Sequence, residues 1–516
     1  MNPGLILFAI LMGVITILVY LVIKRYKYWE RRNVPTGDLM PFFGDFYGLV
    51  HNIVSPAELF EYMYNKVPSD HRYVGLFFFH VPVLMPRTPD LIKQICVRDS
   101  DHFADHGNII INSADDLWQK AVFPLKGQEW KDVRSMLSPI LTGNKVKLMY
   151  PLINHQIENF LGFFKEQEED IVEVDFKDCM LRVLNDITSD VALGIEVDSF
   201  RDRDNIVYKT GVSACNLCEP WKKVILLLYT LCQFIPKTLG LSLFPPRARE
   251  FFLNIVKDTM KKRKEEHLKR DDMIGLLIEL RNAQLKASEE AGPKAKPQKV
   301  MTVQEMASYI FVMYFGVIDS VTTVLAFLAW ELAMAPEIQE RLRRECDSLA
   351  SSTNEATHQD IQGLKYLDMV LSEVLRKWPG AIATDRLVTK SYTIEPELPH
   401  EKPVHLKEGD NIMIPIYALH RDAKYFPEPE KFDPERFSPQ RKHEMNSNAY
   451  IPFGIGPRHC FGTKFSTILM KQIFYKLMLS FEIVPVENTK RKLEMDKSAL
   501  SLYPVGGFKL GLKRRK

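Results

Sequence analysis

Phe453-Gly454-Ile455-Gly456-Pro457-Arg458-His459-Cys460-Phe461-Gly462 is the stretch on which the reading of this chain turns. Two glycines and a proline before the cysteine predict a tight turn, and a third glycine follows it. Glycine lets the backbone loop closely around a ligand and aim amides at a sulfur. Arg458 adds a fixed positive charge near Cys460. The largely apolar run from Phe461 to Leu469 predicts a helix that starts just after the turn. A cysteine at a helix start, with amides and a cation nearby, is suited to be a thiolate. A thiolate is one of the axial ligands that hold heme iron. The competing reading is a buried structural cysteine in a glycine-rich turn, a common fate of free thiols.

The chain has 516 residues, enough for about three ordinary domains. Its hydrophobic content of 46% and charged content of 26% are those of a folded globular protein. A net charge of +3 gives no electrostatic case for a nucleic-acid partner. The cysteine count of 7 is no disulfide framework in a chain this long and fits a reducing compartment. Cys215 and Cys218 form a lone C-x-x-C with no second pair beside it, so they read as unpaired thiols rather than a zinc site.

Leu5–Ile23 is largely apolar, giving about 28 Å of helix against a hydrocarbon core of about 30 Å. Lys24, Arg25, Lys27, Arg31 and Arg32 follow at once, with Tyr26, Tyr28 and Trp29 as interface anchors. The positive-inside rule then leaves the N-terminus lumenal and everything after Lys24 cytosolic. A cleaved signal peptide is disfavoured by the long apolar run and by the lack of a charged n-region and a small-x-small cleavage site. A mitochondrial presequence would be amphipathic and Arg-rich, which this segment is not. Pro35, Gly37, Pro41 and Gly44 make residues 33–45 a stiff linker.

Beyond it, no second linker divides the chain. Tyr73–Phe79 and Val81–Met85 read as a small sheet. From Lys145 to Ile338 the signals are mainly helical, and Ala287–Lys299 reads as an exposed loop between two helices. Strands are expected at Tyr392–Ile394, at Asn411–Ile416 and near the C-terminus, where Gly506-Gly507 would turn a hairpin. Thr302 and Glu305 form a capping box for a helix that runs to Ala335, where Pro336 stops it. The helix is apolar nearly all round from Ala307 to Ile318 and should be buried. As a second membrane span it is interrupted by Asp319, Ser320, Thr322, Thr323 and Glu331. Glu373 and Arg376 share a helix face at i, i+3. Trp130 and Arg134, one turn apart, are both donors suited to a carboxylate.

The stretch around Cys460 resembles the heme-ligand loop of the cytochrome P-450 family, Phe-x-x-Gly-x-Arg-x-Cys-x-Gly. A chance match at Phe453, Gly454, Gly456, Arg458, Cys460 and Gly462 is of order 10⁻⁸ per start position, at ~1 in 20 per residue. The resemblance implies a mainly α fold with minor β, behind a single N-terminal transmembrane helix. The expected organisation is residues 1–32 as anchor and basic flank, 33–45 as linker, and 46–516 as the heme-binding monooxygenase domain. It makes Cys460 the iron ligand, within a cofactor-binding set that also includes Phe453, Trp130, Arg134, Arg386, Arg458 and Gly316. Trp130, Arg134, Arg386 and Arg458 would hold the heme carboxylates, and Gly316 would leave room for dioxygen. Asp319 and Ser320 would be the acid–alcohol pair that relays protons. Val317 replaces the family's usual Gly and Ser320 its usual Thr. Ser keeps a hydroxyl but not the methyl that restrains χ1, so Thr323, one turn on, is the alternative hydroxyl unless it back-bonds to the helix. Glu373, Arg376 and Arg436, the last in Phe432-Asp433-Pro434-Glu435-Arg436-Phe437, would form a buried ionic cluster fixing the cysteine loop.

The resemblance further implies insertion of one oxygen atom from dioxygen into lipophilic small molecules, xenobiotics or endogenous lipids and hormones. Electrons would come from NADPH through a cytochrome reductase, with cytochrome b5 as a further partner, and Arg458 and Lys464 would offer an acidic partner a basic surface. The expected location is the endoplasmic reticulum membrane. The pocket would draw on Phe103–Leu117, Met313, Phe315, Ala381–Ala383 and Ser498–Leu502. Val224–Phe244 would either dip into the bilayer or pack in the core. Finer resemblance is to the insect detoxification group, through Phe103-Ala104-Asp105-His106-Gly107 and Arg270–Leu277, with His106 where Arg is common. The alternatives are a heme-binding sensor or sink without turnover, a reductase-independent isomerase of oxygenated lipids, and a dedicated hormone hydroxylase.

Overall fold

The computed structural model describes residues 3–107, 115–232, 234–290, 299–353 and 355–515. Its helices include α1 (Pro3–Tyr26), α2 (Gly127–Leu137), α3 (Gly143–Lys165), α4 (Phe176–Thr188), α5 (Val303–Gly316), α6 (Thr322–Met334), α7 (Pro336–Ser352), α8 (Lys365–Lys377) and α9 (Thr463–Ser480). The strands among the described residues are β1 (Tyr73–Phe78), β2 (Val81–Pro86), β3 (Ile171–Asp175), β4 (Thr384–Leu387), β5 (Tyr392–Ile394), β6 (Val404–Leu406), β7 (Asn411–Ile414), β8 (Phe481–Val484) and β9 (Lys509–Arg514). The fold is therefore mostly helical with minor sheet, as expected.

The capping box forms: the Thr302 hydroxyl accepts from Glu305 N–H at 3.2 Å, and the Glu305 carboxylate accepts from Thr302 N–H at 2.8 Å. Helix α5 then runs into a π-helical turn at Val317–Val321 and continues as α6 to Met334. The combined 32 residues of Val303–Met334 are long and apolar enough to cross a membrane. They are instead threaded through the core, with Ile310, Phe311, Leu325, Phe327 and Leu328 buried on successive faces. Helix α9 packs against α3, α7 and α8 and buries Leu469, Ile473, Phe474, Leu477 and Met478. The cysteine loop thus sits at the N-terminal end of a core helix.

The main sheet has the order β1-β2-β7-β4, with β2 and β7 parallel and the other pairs antiparallel. A second sheet places β9 between β3 and β8. Strand β3 lies inside the region read as mainly helical; its partner is more than 300 residues away, with Ile171 opposite Lys513. Gly506-Gly507 does not turn the expected hairpin. The short ladder is between 494–496 and 503–505, with Val505 N–H to Glu494 O and Asp496 N–H to Tyr503 O. The two glycines, at φ +85° and +71°, swing the chain from that ladder into β9. The expected 287–299 loop begins as the end of the helix Met273–Glu290, and residues 291–298 lie outside the described residues.

Trp29 was expected at a membrane interface, but its side chain is 0% exposed. Its indole N–H donates to Leu76 O at 2.9 Å. Pro35 O accepts Gly75 N–H at 2.8 Å. The linker is thus laid against β1 rather than free. Truncating a buried Trp in this setting removes both packing and a hydrogen bond, which costs about 3–5 kcal/mol. Trp29→Ala is therefore expected to lower the thermal-unfolding midpoint clearly, whereas Ile23→Ala, on the exposed part of α1, leaves it unchanged.

Candidate heme-binding site

The turn before Cys460 is closed by its own backbone. Cys460 N–H donates to Phe453 O at 2.7 Å, His459 N–H to Gly456 O at 3.0 Å, and Gly454 N–H to Ile451 O at 2.9 Å. Gly454 and Gly456 sit at φ +73° and +80°, a region L side chains rarely occupy. A Cβ on Gly456 would also lie 1.8 Å from the Cys96 carbonyl oxygen, so the loop is pressed directly onto the segment Gln94–Arg98. The Thr463 hydroxyl donates to Cys460 O at 2.9 Å.

A buried ionic cluster backs this loop. Glu373 and Arg376 are both 0% exposed and pair bidentately, with Nε–Oε2 and Nη2–Oε1 each at 2.8 Å. Arg376 also donates to His420 O and Pro429 O. Glu373 accepts Asp433 N–H at 2.9 Å. Arg436 lies 3.4 Å from Glu373 as an ion pair rather than an aligned hydrogen bond, and donates to Glu428 O at 2.7 Å. The three residues predicted to cluster do so. His420 joins the cluster to the loop: its Nε2 accepts Ile451 N–H at 2.9 Å, and its Nδ1 donates to Arg376 O at 3.2 Å. Tyr450 stacks on the ring at 5.6 Å.

Gly316, Asp319 and Ser320 stand on the α5–α6 junction. A Cβ on Gly316 would meet nothing within 4 Å, so the helix opens onto free space there. Burial pushes the Asp319 carboxyl upward, opposed by the Lys177 charge. The Thr323 hydroxyl donates to Asp319 O at 2.9 Å, which is the helix back-bond weighed above. Ser320 is packed beside Gly380, whose Cβ would come within 2.9 Å of Ser320 Cβ.

One cavity of about 790 Å³ joins these elements, bordered by Cys460, Phe453, Gly316, Asp319, Ser320, Trp130, Arg134, Arg458 and His106. The Cys460 thiol is accessible from it. Burial raises the thiol pKa, while the Gly462 amide, Thr463 and Arg134 pull it down. Aromatic and aliphatic side chains make most of the remaining wall, among them Trp118, Phe123 and Phe315. Met313, Ala381–Ala383 and Ser498–Leu502 line it as expected. Of the 103–117 block, His106 lines it, Phe103 is buried away from it, and residues 108–114 lie outside the described residues.

A model of the family described as Cytochrome P450 matches residues 35–510. The chain belongs to the cytochrome P450 family. It is 35% identical to cytochrome P450 9e2 of Blattella germanica, over 97% of this chain and 96% of that one. Its identity is 34% to probable cytochrome P450 9f2 of Drosophila melanogaster, over 95% of each. To Drosophila cytochrome P450 6a2 it is 30%, over 99% of each. These P450s are monooxygenases, and the family binds heme through a cysteine thiolate. The residues present fit that group: an accessible thiol, a glycine opening at the polar α5–α6 junction, and Trp130 and Arg134 as donors, all bordering one largely apolar cavity.

The P450 donors are not all where the sequence put them. Arg458 does not serve as a charge beside the sulfur or as a docking surface. It is buried, donating to Ala104 O, Leu125 O and Asp105, each at 2.8–2.9 Å, with its guanidinium 3.8 Å from the Trp130 ring centre. The cation that acts on Cys460 is Arg134, which donates to His459 O at 3.2 Å. Arg386 does not border the cavity; it donates to Asp385 O and Ile455 O and so braces the cysteine loop. His420 and the cavity-lining Phe46, Phe60, Phe78 and Phe79 carried no sequence signal, because their roles arise from contacts far apart in the chain.

Breaking a buried pair by removing one partner costs about 3–5 kcal/mol. Glu373→Ala is thus expected to yield protein that retains little heme, measured as the ratio of heme to protein absorbance. Burial, reinforced by Arg376, pushes His420 down to about 3 from an ordinary value of about 6.5. The corresponding stability is present above the ordinary value and is lost as pH falls towards the lowered one. His420→Asn keeps a donor and an acceptor without titrating. Its unfolding midpoint is expected below wild type at neutral pH but to decline less steeply in acid.

Proposed function

We propose that this P450 is a membrane-anchored monooxygenase in which Cys460 is the axial ligand to heme and the adjoining cavity takes a lipophilic small molecule. The observation that carries this reading is that one cavity joins the thiol, the Asp319–Ser320 junction and a largely apolar wall. When bound, heme supplies reductive activation of dioxygen, from which one atom enters the substrate. The protein's own part is to bind, orient, exclude water and move protons. Trp130 and Arg134 offer donors to the heme carboxylates; Arg458 orients Trp130, and Arg386 holds the loop at Ile455. Gly316 leaves open space at the helix surface. Asp319, a carboxyl whose proton affinity is raised by burial and opposed by the Lys177 charge, would relay protons, with Ser320 as its hydroxyl partner. Thr323 is the poorer candidate because its hydroxyl is committed to Asp319 O.

Helix α1 is read as the single-pass anchor. It has no acidic residue in its first turn and ends in Lys24 and Arg25. Leu5 and Phe8 are 65% and 61% exposed, a poor arrangement in water. Residues 33–45 then dock the anchor on a catalytic unit of residues 46–516, cytosolic at the endoplasmic reticulum. Phe234, at 74% exposed, and Leu239 and Val224 favour the bilayer-facing reading of 224–244, with Val224, Leu226, Leu227 and Thr230 also bordering the cavity. Exposed Lys464, next to the loop, suits an acidic electron donor, read as an NADPH-dependent cytochrome reductase, with cytochrome b5 as a second partner. The resemblance of Phe103–Gly107 and Arg270–Leu277 to the insect detoxification group favours a detoxifying range of substrates.

Membranes carrying the chain and a reductase are expected to consume NADPH and put one atom of isotopically labelled dioxygen into a lipophilic substrate. Product carrying no label would overturn the reading. General acid–base groups contribute about 10²–10⁴-fold. Asp319→Asn is expected to slow product formation by about 10²-fold with an unchanged heme spectrum, while Thr323→Ala has little effect and Ser320→Ala diverts NADPH use into peroxide.

A further inference from the structure

We propose that His106, backed by Asp385, is a proton-binding counter-charge to the heme carboxylates, so that heme binding is coupled to uptake of a proton. The inference rests on the heme site proposed above and not on turnover.

Among the described residues, positive charge beside His106 is scarce. Heme brings a pair of carboxylates. Arg458 is matched by Asp105 at 2.9 Å and spends its other donors on backbone carbonyls. Arg386 lies off the cavity, on Asp385 O and Ile455 O. Among the described residues, Arg134 is the cavity-lining guanidinium with no carboxylate partner. His459, the neighbouring imidazole, commits Nδ1 to Gly456 O at 2.8 Å. His106 lines the same cavity as Trp130 and Arg134.

His106 is built to hold a proton on demand. Its ring is stacked on Phe123, 4.3 Å between centres and 18° between planes, so its orientation is set. Nδ1 lies 2.8 Å from Asp385 Oδ1 in a buried contact. Asp385 Oδ2 is buried and has no partner, so this carboxylate has capacity for a full positive charge beside it. With Nδ1–H given to Asp385, a neutral ring leaves Nε2 as an acceptor, the wrong polarity for a carboxylate. Taking one proton from solvent makes Nε2 a donor and the ring a cation, with no other bond changed. The groups acting on the ring are Asp385, which favours the cation, and burial, Arg386 and Arg458, which disfavour it. Without heme the ring is therefore disfavoured as a cation; a heme carboxylate within reach of Nε2 would add the missing favourable charge. An arginine at this position would be charged at every working pH.

Heme binds the protonated ring better, so the added affinity is complete below the heme-free pKa. It is lost at up to about tenfold per pH unit as pH rises towards the heme-bound pKa. The test is the rate at which the full-length, detergent-solubilised holoprotein gives up heme to excess apomyoglobin, between about pH 6 and 9, the range in which a histidine given an anionic partner titrates. Carbon monoxide spectra of each variant, taken first, report separately on the thiolate site. Wild type is expected to lose heme several-fold faster for each pH unit across part of that range. His106→Arg is expected to be slow and flat, and His106→Asn fast and flat. Asp385→Asn, which keeps the acceptor oxygen but not its charge, should move the wild-type rise to lower pH. A flat wild-type profile, or a rise that persists in His106→Asn, would overturn the proposal, as would an Asp385→Asn profile that coincides with wild type.

Discussion

Arg376 is a fully buried cation, and the site depends on how its charge is satisfied. Taking a guanidinium out of water is tolerable only with an anion and near-complete hydrogen bonding. Glu373 supplies the anion in a two-point contact, and carbonyls of His420 and Pro429 take further donors. Those carbonyls belong to the segment that leads to the cysteine loop. Satisfying one charge therefore sets the path of the chain well before Cys460. His420 transmits it, with one ring nitrogen on Arg376 O and the other on Ile451 N–H, and the Gly456 contact with Cys96 fixes the far side. Specific geometry, rather than net stability, is what such a cluster contributes.

The cavity divides between two kinds of surface. Apolar side chains cover most of it and would bind through area and shape. Polar groups collect at the Asp319–Ser320 junction and at the Trp130–Arg134–His106 end. That separation lets a lipophilic molecule occupy the dry part while charge and protons are managed at the edges. The π-helical turn at Val317–Val321 is where the long core helix departs from regular hydrogen bonding, and such turns often mark functional positions.

Local patterns in the sequence carried much of this. The capping box at Thr302, the helix break at Pro336, the small sheet of Tyr73–Phe79 and Val81–Met85, and the Glu373–Arg376 spacing are short-range features, and each is found where its residues said. The glycine pattern around Cys460 was legible for the same reason: positive φ and close approach are demands on single positions. What was hidden depends on partners distant in the chain. Strand β3 reads as nothing special until β9 lies beside it, Trp29 reads as an interface residue until Leu76 O receives its N–H, and Arg458 reads as a charge for the sulfur until Asp105 and the Leu125 carbonyl capture it. His420 carries no spacing signal at all, and His106 stands out only as a departure within the Phe103–Gly107 block.

The most direct test of the account is the carbon monoxide difference spectrum of the reduced protein, wild type against Cys460→Ala. A thiolate-ligated heme gives a strongly red-shifted carbonyl band. The account predicts that band in wild type and its loss in Cys460→Ala. A Cys460→Ala protein that kept the red-shifted band would contradict it, because the ligand would then be another residue and the loop built around Cys460 would have no part in holding the iron.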